Sequence, residues 1–458
     1  MNLHEFPNEI LIHIFKYLTT QSKVNIALTC KKLKNVIYVK VLWQNVIAKL
    51  NLQHKSIKIK GGNKKFKSDQ DEAWPDYLFK SLNERGINQV ALVSVNQSRL
   101  KVDMDLMSKY MPTLNVLIFK NMNLQSNSQL IQSMQQLSFL NMVSLDLSFN
   151  SFVNAAVIQS IVSSMPHLKY LYLIGNMAVN DDCLVLLLSL KQLQILNLCA
   201  TKISDYGLAI ISGYVLHSDK FIYDKSAPLL SKLQTLNIDL CFKVTCNSWP
   251  FLQSLPSLKT LITSSDNLVS SSAIESLVHM KTLRCLYIRG CVGNEVLQVL
   301  SEGDNKLQML HLIDCKVNDI GVQYFSTGFR NLSFLSLNSY KITDSCVATI
   351  CQHLPQLVLL DLAACCGITN CSLKYIGKCL EHLMFLCIDS CPKLTSNGLQ
   401  YIPLNFQISC DMVNMLMTPH PKYISDSNST GKIWLTKFSH SCDFFFKILD
   451  GVLHKNNI

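Results

Sequence analysis

The chain has 458 residues, of which 48% are hydrophobic and only 16% charged, with a formal charge of +11. This composition excludes a disordered protein and leaves material for a large core. No apolar run approaches the roughly 20 residues a membrane-spanning helix needs, LVLLLSL at 184–190 being far too short, so no membrane partner is expected. Eighteen cysteines accompany an N-terminus that carries Glu5 and Glu9 in place of a secretory signal, and the C-terminal HKNNI has no prenylation box. Reduced thiols in the cytoplasm or nucleus are expected.

The first predicted element is FPNEILIHIFKYL, with Leu11, Ile14, Phe15 and Leu18 at helical spacing and Ile10 widening the stripe. The turn TTQSK follows, then a second amphipathic stretch NIALTCKKLKNVI, and LWQNVI begins a third helix. Three short helices in about 45 residues make a very small core, so a partner covering the broad stripe is physically reasonable. The ordered set Phe6-Pro7, Glu9, Ile10-Leu11, Ile14-Phe15, Leu18, Cys30 and Leu42-Trp43 resembles an F-box, departing from the family pattern in Phe6 for Leu and in Leu33 for a common Trp. The resemblance implies binding of a Skp-family adaptor, and through it cullin and RING subunits. Phe6, Pro7, Ile10, Leu11, Ile14, Phe15, Leu18, Leu28, Cys30, Leu42 and Trp43 are the candidate adaptor-binding residues. The bland reading of the stripe is an ordinary cap on the core that follows.

Residues 1–90 hold 15 Lys and Arg against 7 Asp and Glu, which is +8 of the total +11. Much of this lies in KLNLQHKSIKIKGGNKKFK (49–67). The run carries no aromatic interleaving and no nucleic-acid motif, so it reads as a solvated linker, and no nucleic-acid partner is expected. WPDYLFKSL (74–82) predicts a helix beginning near Pro75.

From residue 90 a repeat governs the chain. Leu, two residues, Leu, one residue, Leu or Ile, two residues, then Cys, Asn or Thr recurs in copies such as LKYLYLIGN (168–176), LRCLYIRGC (283–291) and LVLLDLAAC (357–365). The copies start at 90, 114, 142, 168, 193, 233, 258, 283, 307, 332, 357 and 383; apart from one gap of 40, every spacing is 24–28 residues. Each copy predicts a short strand followed by a helix, DIGVQYFSTGF (319–329) and NCSLKYIGKCL (370–380) opening at Asp or Asn. One strand and one helix cannot bury their own apolar face, so the copies must stack with parallel strands. The copies CKVNDIGVQYF, YKITDSCVATI and CGITNCSLKYI resemble the cysteine-containing class of leucine-rich repeat. The expected fold is therefore α/β: a three-helix F-box at 1–48, a basic linker and helix at 49–89, a curved solenoid of about twelve repeats at 90–403, and a C-terminal cap or tail at 404–458. The long gap holds an insertion near 214–228, expected as a surface loop whose aromatics pack locally, and FSHSCDFFFKILDGVL (438–453) is apolar enough to dock on the array.

Cys241, Cys291, Cys315, Cys365 and Cys391 share the ninth repeat position, which turns inward towards backbone groups. Cys365, Cys366, Cys371 and Cys379 form the densest group, read as core positions. No Cys-x-x-Cys pair occurs, and neither a metal nor any other cofactor is expected. No nucleophile elbow, phosphate loop, HExxH or kinase signature is present, so the chain itself is expected to be non-catalytic. An F-box followed by leucine-rich repeats implies the substrate-recognition subunit of an SCF-type ubiquitin ligase, which holds a protein substrate near the activated ubiquitin; the alternative is a non-ligase repeat scaffold. Strand alternation places Tyr287, Arg289, His311 and Phe334 on the concave side, as the candidate substrate-binding residues. Tyr287, His311 and Ser336 should form one row about 4.8 Å apart, with Asp361 continuing it. Tyr170 and Tyr172 form a separate aromatic spot.

Overall fold

A computed structural model describes residues 3–43, 46–52, 74–95, 100–122, 140–218, 220–265, 271–303, 305–403 and 407–409. The basic run lies almost wholly outside the described residues, and the 438–453 segment lies outside them entirely. The chain divides into two compact units, residues 1–233 with 241–243, and residues 234–240 with 244–458.

The first unit begins with α1 (Asn8–Lys16), α2 (Thr20–Ala27) and α3 (Lys31–Ile37), followed by a 3-10 turn at Lys40–Trp43. Three expectations need correcting here. The segment TTQSK is not a turn: the Thr19 side chain accepts a hydrogen bond from the Ser22 N–H and starts α2. The amphipathic run 25–37 is two helices, because Cys30 is extended (φ −153°, ψ 163°) and caps α3. Within LWQNVI, Leu42 and Trp43 belong to the 3-10 turn and Ile47 opens a strand, in place of the expected third helix; Gln44 and Asn45 lie outside the described residues.

That strand, β1 (Ile47–Asn51), pairs in parallel with β2 (Gln89–Ser94). The sheet therefore starts about 40 residues before the first recognisable repeat copy, because IAKLN has the alternation of a strand without the leucine signature. The helix expected over 74–82 is α4 (Trp74–Glu84). The sheet continues with β3 (Val116–Phe119), β4 (Ser144–Asp146), β5 (Tyr170–Tyr172) and β6 (Ile195–Asn197), each parallel to its predecessor. The insertion is more ordered than a loop. It is an antiparallel hairpin of β7 (Tyr214–His217) and β8 (Lys220–Tyr223), with Tyr214 against Tyr223 and Phe221 against Tyr206.

In the second unit the parallel order is β9 (Thr235–Asn237), β10 (Thr260–Ser265), β11 (Cys285–Gly290), β12 (Met309–Ile313), β13 (Phe334–Leu337), β14 (Leu359–Asp361), β15 (Phe385–Cys387) and β16 (Gln407–Ser409). The last strand falls past the expected end of the array at 403. Leu286, Leu310, Leu335, Leu360 and Leu386 align across this sheet and are buried. Helices between the strands start where short polar side chains cap them. Thr343 accepts from Ser345 N–H and Thr369 from Cys371 N–H, so Thr369, one residue before the expected Asn370, opens the helix Asn370–Cys379. The expected helix 319–329 is split into Asp319–Val322 and Phe325–Gly328.

Of the five ninth-position cysteines, Cys241, Cys315, Cys365 and Cys391 are buried, whereas Cys291 is half-buried. Cys241 Sγ donates to Leu198 O, Cys365 Sγ to Leu337 O and Cys391 Sγ to Leu362 O, at 3.0–3.2 Å. In the earlier copies Asn150 fills the same position and bonds Phe119 O and Leu147 O. The reading of the dense cysteine group as core holds only for Cys365. Cys366 and Cys371 are exposed, the first just past the inward position and the second in the outer first turn of its helix. Every described cysteine is a free thiol.

The residue before the ninth position often carries a left-handed backbone. Asn121, Phe149, Ala200, Leu240, Asp314, Ala364 and Ser390 have φ between 54° and 60°. This turn ends the strand and aims the next side chain inward, at a steric cost for any residue with a Cβ.

Candidate functional site

The N-terminal helices divide the candidate adaptor residues into two sets. Leu11, Phe15, Leu42 and Trp43 are buried with Leu33, Val36 and Ile37. The Trp43 indole N–H donates to Ile37 O at 2.6 Å, and Lys23 reaches under the turn to Leu42 O at 2.8 Å. Burial lowers the Lys23 pKa from its ordinary value. The side chains of Leu11, Phe15, Leu42 and Trp43 thus form the core of the helical unit and offer no surface, which corrects their expected place at an interface. The Arg85 guanidinium lies over the Tyr38 ring at 4.3 Å and the Trp43 ring at 5.2 Å, and donates to the Tyr38 hydroxyl. This locks the helical unit to the end of α4.

The remaining candidates stay accessible. Ile10 (46% exposed), Ile14 (40%) and Leu28 (80%) are open, as are Pro7 and Cys30, while Phe6 and Leu18 are half-buried. Tyr17 and Val24, absent from the sequence-based set, are also exposed. Ile10, Ile14 and the C-cap residue Tyr17 follow i, i+4, i+7 spacing and so share one edge of the α1 stripe, whereas Leu11 and Phe15 share the adjoining edge. A helical-wheel count extended by one turn finds Tyr17.

The second face lies on β10–β14. The expected rows are present: Tyr287 pairs with His311, His311 with Ser336 and Ser336 with Asp361. The expected exposure is not. Tyr287 is fully buried and His311 nearly so, their rings stacked at 4.7 Å with 22° between planes. Ile262, Cys285, Met309 and Ile313 are buried with them, and Phe334 packs half-buried against the group. Strand alternation correctly assigns these residues to one face, but alternation says nothing about what covers a face, and this one is closed.

Polar groups run through the same face. Half-buried Arg289 donates from Nε to buried Asp239 Oδ2 at 3.2 Å and from Nη2 to the Tyr287 hydroxyl at 2.8 Å. Burial raises the Asp239 pKa and outweighs the Arg289 guanidinium, which acts in the opposite direction. Burial, with a smaller contribution from Arg289, lowers His311 to about 3. The Ser336 hydroxyl donates to Asp361 Oδ2 at 2.8 Å, and its oxygen lies 3.4 Å from His311 Nε2. Ser336 sits between His311 and Asp361, whereas a nucleophile–base–orienter chain has the base in the middle. Burial raises the Asp361 pKa despite the bonds from Ala363 N–H and Ser336. Among the described residues no group of three His, Cys, Asp or Glu side chains converges on a metal position, and no helix is long and apolar enough to cross a membrane.

A small helical unit followed by stacked strand–helix copies with an inward cysteine or asparagine is the architecture of an F-box-like unit joined to a leucine-rich-repeat solenoid. A family model described as F-box-like matches residues 3–49. F-box/LRR-repeat protein 17 of Arabidopsis thaliana is 24% identical over 299 residues, spanning 63% of this chain and 42% of that protein. The chain thus spans about two fifths of the length of this curated relative. The matches support an F-box-like unit at the N-terminus and a likeness to F-box/leucine-rich-repeat proteins. Solved structures that it resembles include the yeast Rad7–Elc1 complex (17% identity, 51% of this chain and 73% of that one, TM-score 0.31) and the TLR13–ssRNA13 complex (17%, 73% and 43%, 0.45). An internalin of Listeria monocytogenes is similar at 17% identity (61% and 82%, 0.38).

Proposed function

We propose that this chain is the non-catalytic substrate receptor of an SCF-type ubiquitin ligase, its helical unit binding a Skp-family adaptor and its repeats binding a protein substrate. The observation that carries this is the split in the apolar stripe. Leu11 and Phe15 already complete the small core, yet Ile10, Ile14 and Tyr17 remain exposed along the adjoining edge of the same stripe of α1. Free thiols throughout the described repeats support residence in the cytoplasm or nucleus. The receptor would supply proximity, holding a substrate lysine near the activated ubiquitin carried by the cullin–RING part of the assembly. The proposed substrate face is that of Tyr287, Arg289, His311 and Phe334; Arg289 and Phe334 are its half-open members.

The test is co-precipitation of the full chain with a purified Skp-type adaptor. Ile14→Lys places a charge into a desolvated contact and should remove binding, at a cost of about 3 kcal/mol or more, with unchanged far-UV circular dichroism. Adaptor binding at unaltered strength by the Ile14→Lys chain, or none by the unaltered chain, overturns the reading.

A further inference from the structure

The hairpin of β7 and β8 is a two-stranded sheet of its own, separate from the parallel sheet of the repeats. Two strands alone are marginal in water. β7 lies against the helix Asp205–Ile211, and β8 is the outer strand. Tyr214 pairs with Tyr223, Val215 with Ile222, Leu216 with Phe221 and His217 with Lys220. The ladder continues at Gly213, whose carbonyl accepts the Asp224 N–H at 3.0 Å. That bond sets the phase of the ladder. Lys220, Ile222 and Asp224 direct their backbone groups towards β7, and Phe221 and Tyr223 direct theirs to the outer edge.

Side chains alternate with the same period. Phe221 meets Tyr206 with ring centroids 5.8 Å apart, and Tyr223 meets Tyr214 at 5.3 Å. Lys220, Ile222 and Asp224 share the opposite face, where Ile222 is 52% exposed. Phe221-Ile222-Tyr223 is therefore an apolar outer strand of the kind that pairs with another chain unless charge blocks it. Charges of one sign at both ends would block it against a copy of itself. Here the ends differ in sign. The run Lys220-Phe221-Ile222-Tyr223-Asp224 is cation, aromatic, aliphatic, aromatic, anion, and such a strand complements itself when reversed. The Ser226 hydroxyl and N–H both donate to Asp224 Oδ1 and lower the carboxyl pKa from its ordinary value, so the anion is present at neutral pH.

We propose that residues 220–224 pair antiparallel with the same residues of a second copy of this chain, about a two-fold axis at Ile222. Lys220 then stands opposite Asp224 of the second copy at both ends, Phe221 stands opposite Tyr223, and the two Ile222 side chains meet on the axis. The backbone phase agrees. Ile222 falls in a close non-hydrogen-bonded pair, and Phe221 and Tyr223 carry the edge groups that a neighbouring strand meets. A parallel arrangement would set Lys220 beside Lys220. Residues 220–224 on each side are fewer than the roughly 20–30 of a standard interface, so the dimer is weak and depends on concentration. It gives one assembly two repeat arrays, so a partner with two binding segments is held at both. The inference stands independently of adaptor binding.

Sedimentation equilibrium of the full chain, from about 1 to 200 micromolar, should show a monomer–dimer equilibrium. Lys220→Glu and Asp224→Lys should each weaken it about tenfold or more, since each sets like charges opposite one another at both ends. Mixing the two variant chains should restore association, because both end pairs then become opposite in sign. A parent that stays monomeric throughout overturns the proposal, even where an added extended peptide binds the hairpin. Unweakened self-association of either variant overturns it too, as does a mixture that fails to recover. Should Asp224→Lys disturb the turn at Ser226, Ile222→Cys decides. Under mild oxidation, a disulfide-linked peptide joining position 222 of two chains supports the two-fold pairing, and a dimer without that link overturns it.

Discussion

The rings of Tyr287 and His311 stack at 4.7 Å on adjacent strands, in a cluster where both are removed from water. Strand register brings them together, and burial then governs the chemistry of the imidazole. It holds His311 at about 3, so the ring is neutral in the folded protein at any ordinary pH.

A pH dependence follows from that depressed value. Between the unfolded pKa of about 6.5 and the folded value the unfolded chain binds the extra proton, so His311 costs stability as pH falls through this window. The slope should approach 1.4 kcal/mol per pH unit below about pH 6. Asp361, whose raised pKa contributes with the opposite sign, is present in both proteins when His311→Phe is compared with the parent. Urea unfolding at pH 7.5 and pH 5 should show a parent that loses more than the variant. Equal losses would mean that His311 is open to water or charged in the fold.

Arg289 holds Asp239, a carboxylate that burial has already weakened. Arg289→Met should destabilise the chain by about 2 kcal/mol, because an uncompensated buried charge remains. Adding Asp239→Asn should recover part of that loss. Purely additive losses in the double variant, read by chemical denaturation, would show that the pair is not coupled.

The two edges of the α1 stripe should answer differently to truncation. Leu11→Ala removes a fully buried side chain and should cost about 2–5 kcal/mol, whereas Ile14→Ala should stay within about 0.5 kcal/mol. Thermal melts of the two variants check this. A large loss at Ile14 would place it in the core.

Ala364 has φ 59° in the turn that ends β14. Glycine adopts this conformation without the Cβ contact, so Ala364→Gly should raise stability by about 0.5–1 kcal/mol despite the added freedom of the unfolded chain. Gly377 predicts the reverse. A Cβ there would meet Tyr401 O, and Gly377→Ala should destabilise the packing of Asn370–Cys379 on the following 3-10 helix. A destabilised Ala364→Gly would show that the turn depends on the methyl group's packing.

Much of this protein is legible in its sequence because stacking turns a period into a register. A 24–28-residue spacing with leucines at fixed offsets determines which side chains align on neighbouring strands, so the row Tyr287, His311, Ser336, Asp361 follows from counting. The inward thiols of Cys241, Cys315, Cys365 and Cys391 follow in the same way, while Cys291, at the same offset, is half-buried. β1 escaped because IAKLN shows alternation but no leucine offset, and the break at Cys30 escaped because an amphipathic pattern continues across it. Tertiary structure alone decided which edge of the α1 stripe faces inward. Ile10, Leu11, Ile14 and Phe15 are all strongly apolar, and only the position of α3 and the Leu42-Trp43 turn makes Leu11 and Phe15 core while Ile10 and Ile14 stay open. It also decided that Tyr287 is closed and Tyr172 half-open, since alternation fixes the side of a strand on which a residue stands, while exposure depends on whatever else lies over that side.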